Sequence, residues 1–127
     1  MAESIPDDVR RFILTSVPSV PHLEAILLLR AEVAPPWDSR RLARRLYLSE
    51  KTAESLLNDL CAAGALTIAD QETRLYSYHP NSKDLRQIID RVAAVYAKHI
   101  VDITHLIHST TGKKAQQFAD AFKLRED

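Results

Sequence analysis

The segment from Trp37 to Gly64 constrains this chain more than any other, because it carries two helix-start signals only eleven residues apart, Asp38 and Ser49. Each is a residue type whose side-chain oxygen satisfies a free N–H in the first turn of a helix. Trp37 and Leu42 flank Asp38 at the two positions that clip a helix entry by hydrophobic contact. The interval leaves room for about two helical turns and a tight connection at Tyr47-Leu48. That short helix buries Leu42, Ala43 and Leu46 and turns Arg40, Arg41, Arg44 and Arg45 outward. The helix after Ser49 sets Ala53, Leu56, Leu57 and Leu60 on one side, and Gly64 supplies the left-handed residue that ends it. Small Ala43 and Ala53 let the two helices cross closely.

The flanks extend this pattern. Ser4 to Ser16 reads as a helix, with Ser4 as a cap, Pro6 in the first turn, and Asp7 and Asp8 at the positive end of the dipole. A second helix spans about Pro21 to Glu32 and is apolar almost all round, as a central core helix is. Ala34-Pro35-Pro36 breaks it. Beyond Gly64, Leu66 to Ala69 and Arg74 to Tyr78 read as two short strands around the turn Asp70-Gln71-Glu72-Thr73, with Pro80 ending the hairpin. From Ser82 to His108 the apolar positions predict one long helix, about 40 Å at 1.5 Å per residue. A last amphipathic turn or two follows between Lys113 and Phe122. With only two glycines in 127 residues and prolines confined to the joints, the fold class is mostly α with a small β-hairpin.

Seventeen basic and seventeen acidic residues cancel to a net charge of zero, but not locally. Trp37 to Thr52 holds five basic residues against Asp38 and Glu50, an excess of +3. The single cysteine, Cys61, has no partner for a disulfide and no basic neighbour to activate it, so it reads as a small buried hydrophobe. The acidic-then-basic N-terminus lacks a signal-like apolar stretch, and no run is long enough to cross a bilayer, so a cytoplasmic location is expected. His99, Asp102, His105 and His108 cluster on one helix without a Glu or Cys to complete a metal set. No phosphate loop, nucleophile elbow or carboxylate pair points to an enzyme, and no cofactor is expected.

The order helix, helix, short helix, tight turn, longer helix, hairpin, long helix resembles the winged helix-turn-helix regulators of the MarR/PadR type. The stretch DSRRLARRLYLSEKTAESLLNDLCAAGAL is similar to the family pattern, with Leu42, Ala43, Ser49, Thr52, Ala53, Leu57, Leu60, Ala63, Gly64 and Leu66 in its slots. The resemblance covers about residues 20 to 80, and the C-terminal helix by topology only. It implies a winged helix-turn-helix domain over residues 1–80 and a C-terminal dimerisation helix with a short amphipathic tail over 81–127. It also implies a regulator that binds double-stranded DNA as a homodimer. Ser49, Lys51, Thr52, Ser55 and Asn58 would line the recognition face, with Asn58 facing adenine and Lys51 guanine. Arg40, Arg41, Arg44 and Arg45 would reach phosphates, and Arg74 of the hairpin a neighbouring groove or backbone.

In the long helix, Leu85, Val92, His99 and Leu106 repeat every seven residues beside Ile89, Tyr96 and Ile103, as a seam pairing with a second copy would. The alternative is a helix folded wholly back onto its own core. The acidic residues of the recognition helix, Glu50, Glu54 and Asp59, suit a rival function: an interaction module that binds another protein without DNA. Phe118 and Phe122 in the tail offer such a partner a foothold.

Overall fold

The structure is a computed structural model, and it describes residues 5–109. In chain order it contains α1 (Asp7–Ser16), α2 (Val20–Ala31), α3 (Ser39–Leu46), α4 (Glu50–Ala62), β1 (Leu66–Asp70), β2 (Leu75–Tyr78) and α5 (Lys83–Lys98). A further helix, α6, covers residues 100–109. The protein is mostly helical with one small antiparallel sheet. The amphipathic segment between Lys113 and Phe122 lies outside the described residues, as does Ser4.

Four of the helices start on a side-chain cap. Asp38 accepts from Arg41 N at 2.8 Å and Ser49 from Thr52 N at 3.1 Å. Ser82 accepts from Leu85 N at 3.0 Å, and Ser19 from His22 N at 3.3 Å. α1 differs from expectation, since Pro6 stands at its cap position and the helix starts only at Asp7. α4 ends as anticipated. Gly64 takes φ +88°, its N–H bonds to Cys61 O, and Ala65 N–H bonds back to Leu60 O, so two otherwise orphaned carbonyls are satisfied. A side chain at Gly64 would also overlap the Asn81 carboxamide, so both the backbone angle and the space call for glycine there.

β1 and β2 pair in the register Leu66 with Tyr78, Thr67 with Ser77 and Ile68 with Tyr76, then slip to bring Asp70 opposite Leu75. The far edge of β2 is not bare. Trp37 N–H donates to Tyr76 O and Tyr76 N–H to Trp37 O, both at 2.7 Å, so Trp37 forms a one-residue third strand just ahead of α3. Its ring is completely buried and its Nε1–H donates to Glu32 O at 2.8 Å. One residue thereby ties the end of α2, the hairpin and the start of α3 together.

The interior is continuous from Val9 and Ile13 of α1, through Leu23, Ile26 and Leu29 of α2, to Leu42, Leu56, Leu57, Ile89 and Val92. Ile103 and Ile107 of α6 belong to it as well. Here the expectation of one helix from Ser82 to His108 fails. α5 stops at Lys98, and His99 adopts φ −130°, ψ 45°. The His99 N–H closes α5 on Val95 O at 2.8 Å, while its carbonyl opens α6 by accepting from Ile103 N at 3.0 Å. One residue is thus the last cap of one helix and the first of the next. The break turns the following helix so that Ile103 and Ile107 face the core, whose burial outweighs a lost helical turn.

The break also alters the proposed pairing seam. Ile89, Val92 and Ile103 are buried in the protein's own interior, and Leu85, Tyr96 and Leu106 pack partly against it. His99 is likewise half-buried. Apolar side chains left in water lie on the other side, at Ile100 (53% exposed) and Val101 (61%).

Candidate nucleic-acid interface

α4 is two-faced in the way its sequence requires. Ala53, Leu56 and Leu57 are buried, while Ser49, Lys51, Thr52, Glu54, Ser55 and Asn58 are exposed. Close packing against α3 fixes that orientation, with Ala43 and Ala53 both buried. The exposed face therefore projects outward on a short supporting helix, and the polar groups of Lys51, Thr52 and Ser55 are presented to solvent.

The four arginines of α3 do not behave alike. Arg41 and Arg45, four residues apart, lie on the flank that meets the end of α2. Arg45 makes a two-pronged pair with Glu32, at 2.8 and 2.6 Å. The Arg41 guanidinium lies 3.6 Å from the Trp37 ring centroid, donates to Pro35 O at 2.7 Å, and stands 3.7 Å from Glu32. Its side chain is 24% exposed. Both arginines were expected to point outward; Arg45 does stay exposed, but it is engaged with Glu32, while Arg41 is drawn in over Trp37, and together they hold the α2–α3 junction. Hydrogen bonding to Arg45, reinforced by the charges of Arg45 and Arg41, holds the Glu32 carboxyl below its ordinary value. Because the folded value is lowered, this contribution is present above the ordinary carboxylate range and fades as pH falls through the lowered one. The site is solvent-exposed, so salt screens it strongly.

Arg40 and Arg44 form the other stripe. Arg40 is 73% exposed and reaches Glu50 at 3.4 Å. Arg44 is exposed and has no acidic partner among the described residues. Glu50 is thus partly offset by Arg40. Asp59 is drawn aside by His22, whose Nε2 lies 2.8 Å from its Oδ2, while Ser19 Oγ lies 2.6 Å from Nδ1 of the same ring. Of the three acidic residues on α4, only Glu54 faces solvent without a partner among the described residues.

Three further placements bear on the expected roles. The Tyr76 hydroxyl donates to Asn58 Oδ1 at 2.6 Å, which takes up one of the two acceptor positions of the carboxamide oxygen. Asn58 thereby anchors α4 to β2. The Ser49 hydroxyl donates to Thr52 Oγ1 at 2.9 Å while accepting from the Thr52 N–H, so its part is to cap the helix. Arg74 is not in the strand but in the turn before it, with φ 55°. Asp70 Oδ1 shapes that turn by accepting from Glu72 N at 3.0 Å and Thr73 N at 3.4 Å, which leaves the exposed Arg74 at the hairpin tip.

Tyr47 lies in the tight connection expected between the two helices, where a turn glycine is usual. It forms the αL cap of α3 with φ 57°, ψ 48°, in the position where glycine costs nothing, and its side chain is 94% exposed. A left-handed non-glycine residue costs roughly 1–2 kcal/mol. Glu32 emerged only from the folded arrangement, since Arg45 lies thirteen residues away, and Trp37, expected as a clip at the helix entry, gained there its bridge to Tyr76.

Comparison with protein-family models, with curated proteins and with solved structures gave no match to this chain. Among the described residues, no single helix is long and apolar enough to cross a membrane. Nor does any group of three or more His, Cys, Asp and Glu side chains converge there on a metal position.

Proposed function

We propose that this protein is a winged helix-turn-helix regulator that binds duplex DNA, with α4 as the recognition helix, α3 as its support and the β1–β2 hairpin as the wing. The observation that carries the reading is the outward polar face of α4, Lys51, Thr52 and Ser55, standing beside the exposed Arg40 and Arg44 of α3. A major groove roughly 12 Å wide admits one helix held clear of its own domain, and α4 is held in that way. Trp37 bridging to β2 supports the same architecture, because it adds the short strand that joins a wing to the helical part.

The contacts divide by type. Arg40, Arg44 and Arg74 are the phosphate-seeking groups, while Lys51, Thr52 and Ser55 face base edges. Arg41, Arg45 and Asn58 support the fold. A random-sequence duplex titrated with protein at low salt tests the reading. Retention at micromolar protein is expected, with log affinity falling linearly against log salt at a slope of about −2 to −3, one increment of roughly −0.9 per phosphate contact. Absence of binding at low salt would leave the protein-binding module as the reading.

Self-association belongs to the same proposal, on a changed surface. With Ile89, Val92 and Ile103 buried inside the fold and Leu85, His99 and Leu106 partly so, a second copy would meet the exposed Ile100 and Val101 beside the half-buried Tyr96. Sedimentation at tens of micromolar protein is expected to give twice the 14.3 kDa chain mass, and Val101→Asp to restore the single-chain mass. A single-chain mass for the unaltered protein would contradict it.

A further inference from the structure

The side chain of Tyr47 makes no use of the fold that carries it. It is 94% exposed, and no hydrogen bond, ion pair or ring contact engages it among the described residues. Its backbone is left-handed, where glycine would fit without strain and an aromatic residue does not. A large ring in water on an unfavourable backbone has no reward inside the molecule, so its value must lie in what it meets outside.

Its surroundings say what that is. Arg40 and Arg44, four residues apart, form one outward stripe along α3, and the exposed Tyr47 caps the end of that helix. Arg40 reaches across to Glu50 in the first turn of α4, which places this stripe next to the recognition face. On the other side of the turn, Lys51 is exposed. Tyr47 follows Arg44 by three residues and precedes Lys51 by four, at the point where the supporting helix hands over to α4. We propose that Tyr47 is a nucleic-acid contact, its ring lying against the sugar and its hydroxyl donating to a phosphate at the lip of the groove that α4 enters. This rests on the DNA-binding reading above and assigns it a residue that the recognition pattern does not include.

The left-handed backbone makes the test clean, because Tyr47→Gly removes the side chain while relieving the turn. Tyr47→Gly, Tyr47→Phe and Arg44→Ala are compared with the unaltered full chain for binding of a labelled random-sequence duplex by fluorescence anisotropy. Urea denaturation of each protein is measured alongside. The expected result is that Tyr47→Gly binds about tenfold more weakly while denaturing at the same or higher urea concentration. Tyr47→Phe is expected to lie between, at roughly threefold weaker, from loss of the hydroxyl alone. Weakened binding by Arg44→Ala with unchanged binding by Tyr47→Gly would overturn the Tyr47 contact and leave the DNA reading standing. A Tyr47→Gly protein that denatures more easily would also overturn it, by showing that the ring supports the fold. Failure of the unaltered protein to bind the duplex would overturn both.

Discussion

Reversing the two outward charges of α3, Arg40→Glu together with Arg44→Glu, is expected to weaken duplex DNA binding by on the order of 100-fold at low salt. Each substitution removes a phosphate attraction and adds a repulsion, and the salt slope should flatten by about 1.8 for two lost contacts. Stability should hardly move, because Arg40 and Glu50 are both well exposed and an exposed pair of this kind is worth at most about 1 kcal/mol. The matched control is Arg41→Ala with Arg45→Ala. Those side chains are engaged with Glu32, Pro35 and Trp37, so their loss should lower the urea midpoint and leave the salt slope unchanged. Equal effects of the two double substitutions on DNA binding would show that this division of the arginines is wrong. Anisotropy titrations over a range of salt, with urea denaturation alongside, decide it.

The second large effect concerns stability. Trp37→Ala is expected to cost about 3–5 kcal/mol, the usual range for removing a large buried aromatic side chain. That is a large share of the roughly 5–15 kcal/mol that holds a domain together. Three things disappear with the ring: a fully buried packing unit, the donor to Glu32 O, and the surface on which the Arg41 guanidinium lies. Trp37→Phe keeps much of the apolar area but not the donor, and should cost roughly half as much or less. Urea denaturation followed by circular dichroism measures both. A loss below about 1 kcal/mol for Trp37→Ala would mean that the junction of α2, α3 and the hairpin does not depend on this residue.

Much of the fold was legible because it is written in local chemistry. Asp38, Ser49 and Gly64 announced their helix ends by residue type, and each acts there through the main chain within three or four positions. The hairpin followed from two short β-prone runs around a polar turn, with only its edges displaced: β1 gained Asp70, and Arg74 fell into the turn. The break at His99 was illegible for a physical reason. No proline or glycine marks it, and the apolar spacing continues through it, so only the gain from burying Ile103 and Ile107 reveals the bend.

The interface shows the same division. The outward face of α4 followed from its periodicity, because Ala53, Leu56 and Leu57 had to be buried. The fates of Arg41, Arg45 and Asn58 depended on Glu32, Trp37 and Tyr76, between 4 and 18 positions away, and periodicity carries no information about such partners. Tyr47 was visible as a departure from glycine in the turn, yet only its left-handed backbone and bare ring turn that departure into a functional suggestion.

The most direct measurement of the central claim is a heteronuclear NMR titration of the full chain with a random-sequence duplex at low salt. Amide resonances of Arg44, Lys51, Thr52 and Ser55 should shift progressively with added duplex, while those of Val9 and Ile13 in α1 stay in place. Shifts confined to α1 and α6, or no shift at any duplex concentration, would contradict the assignment of α4 as the DNA-facing helix.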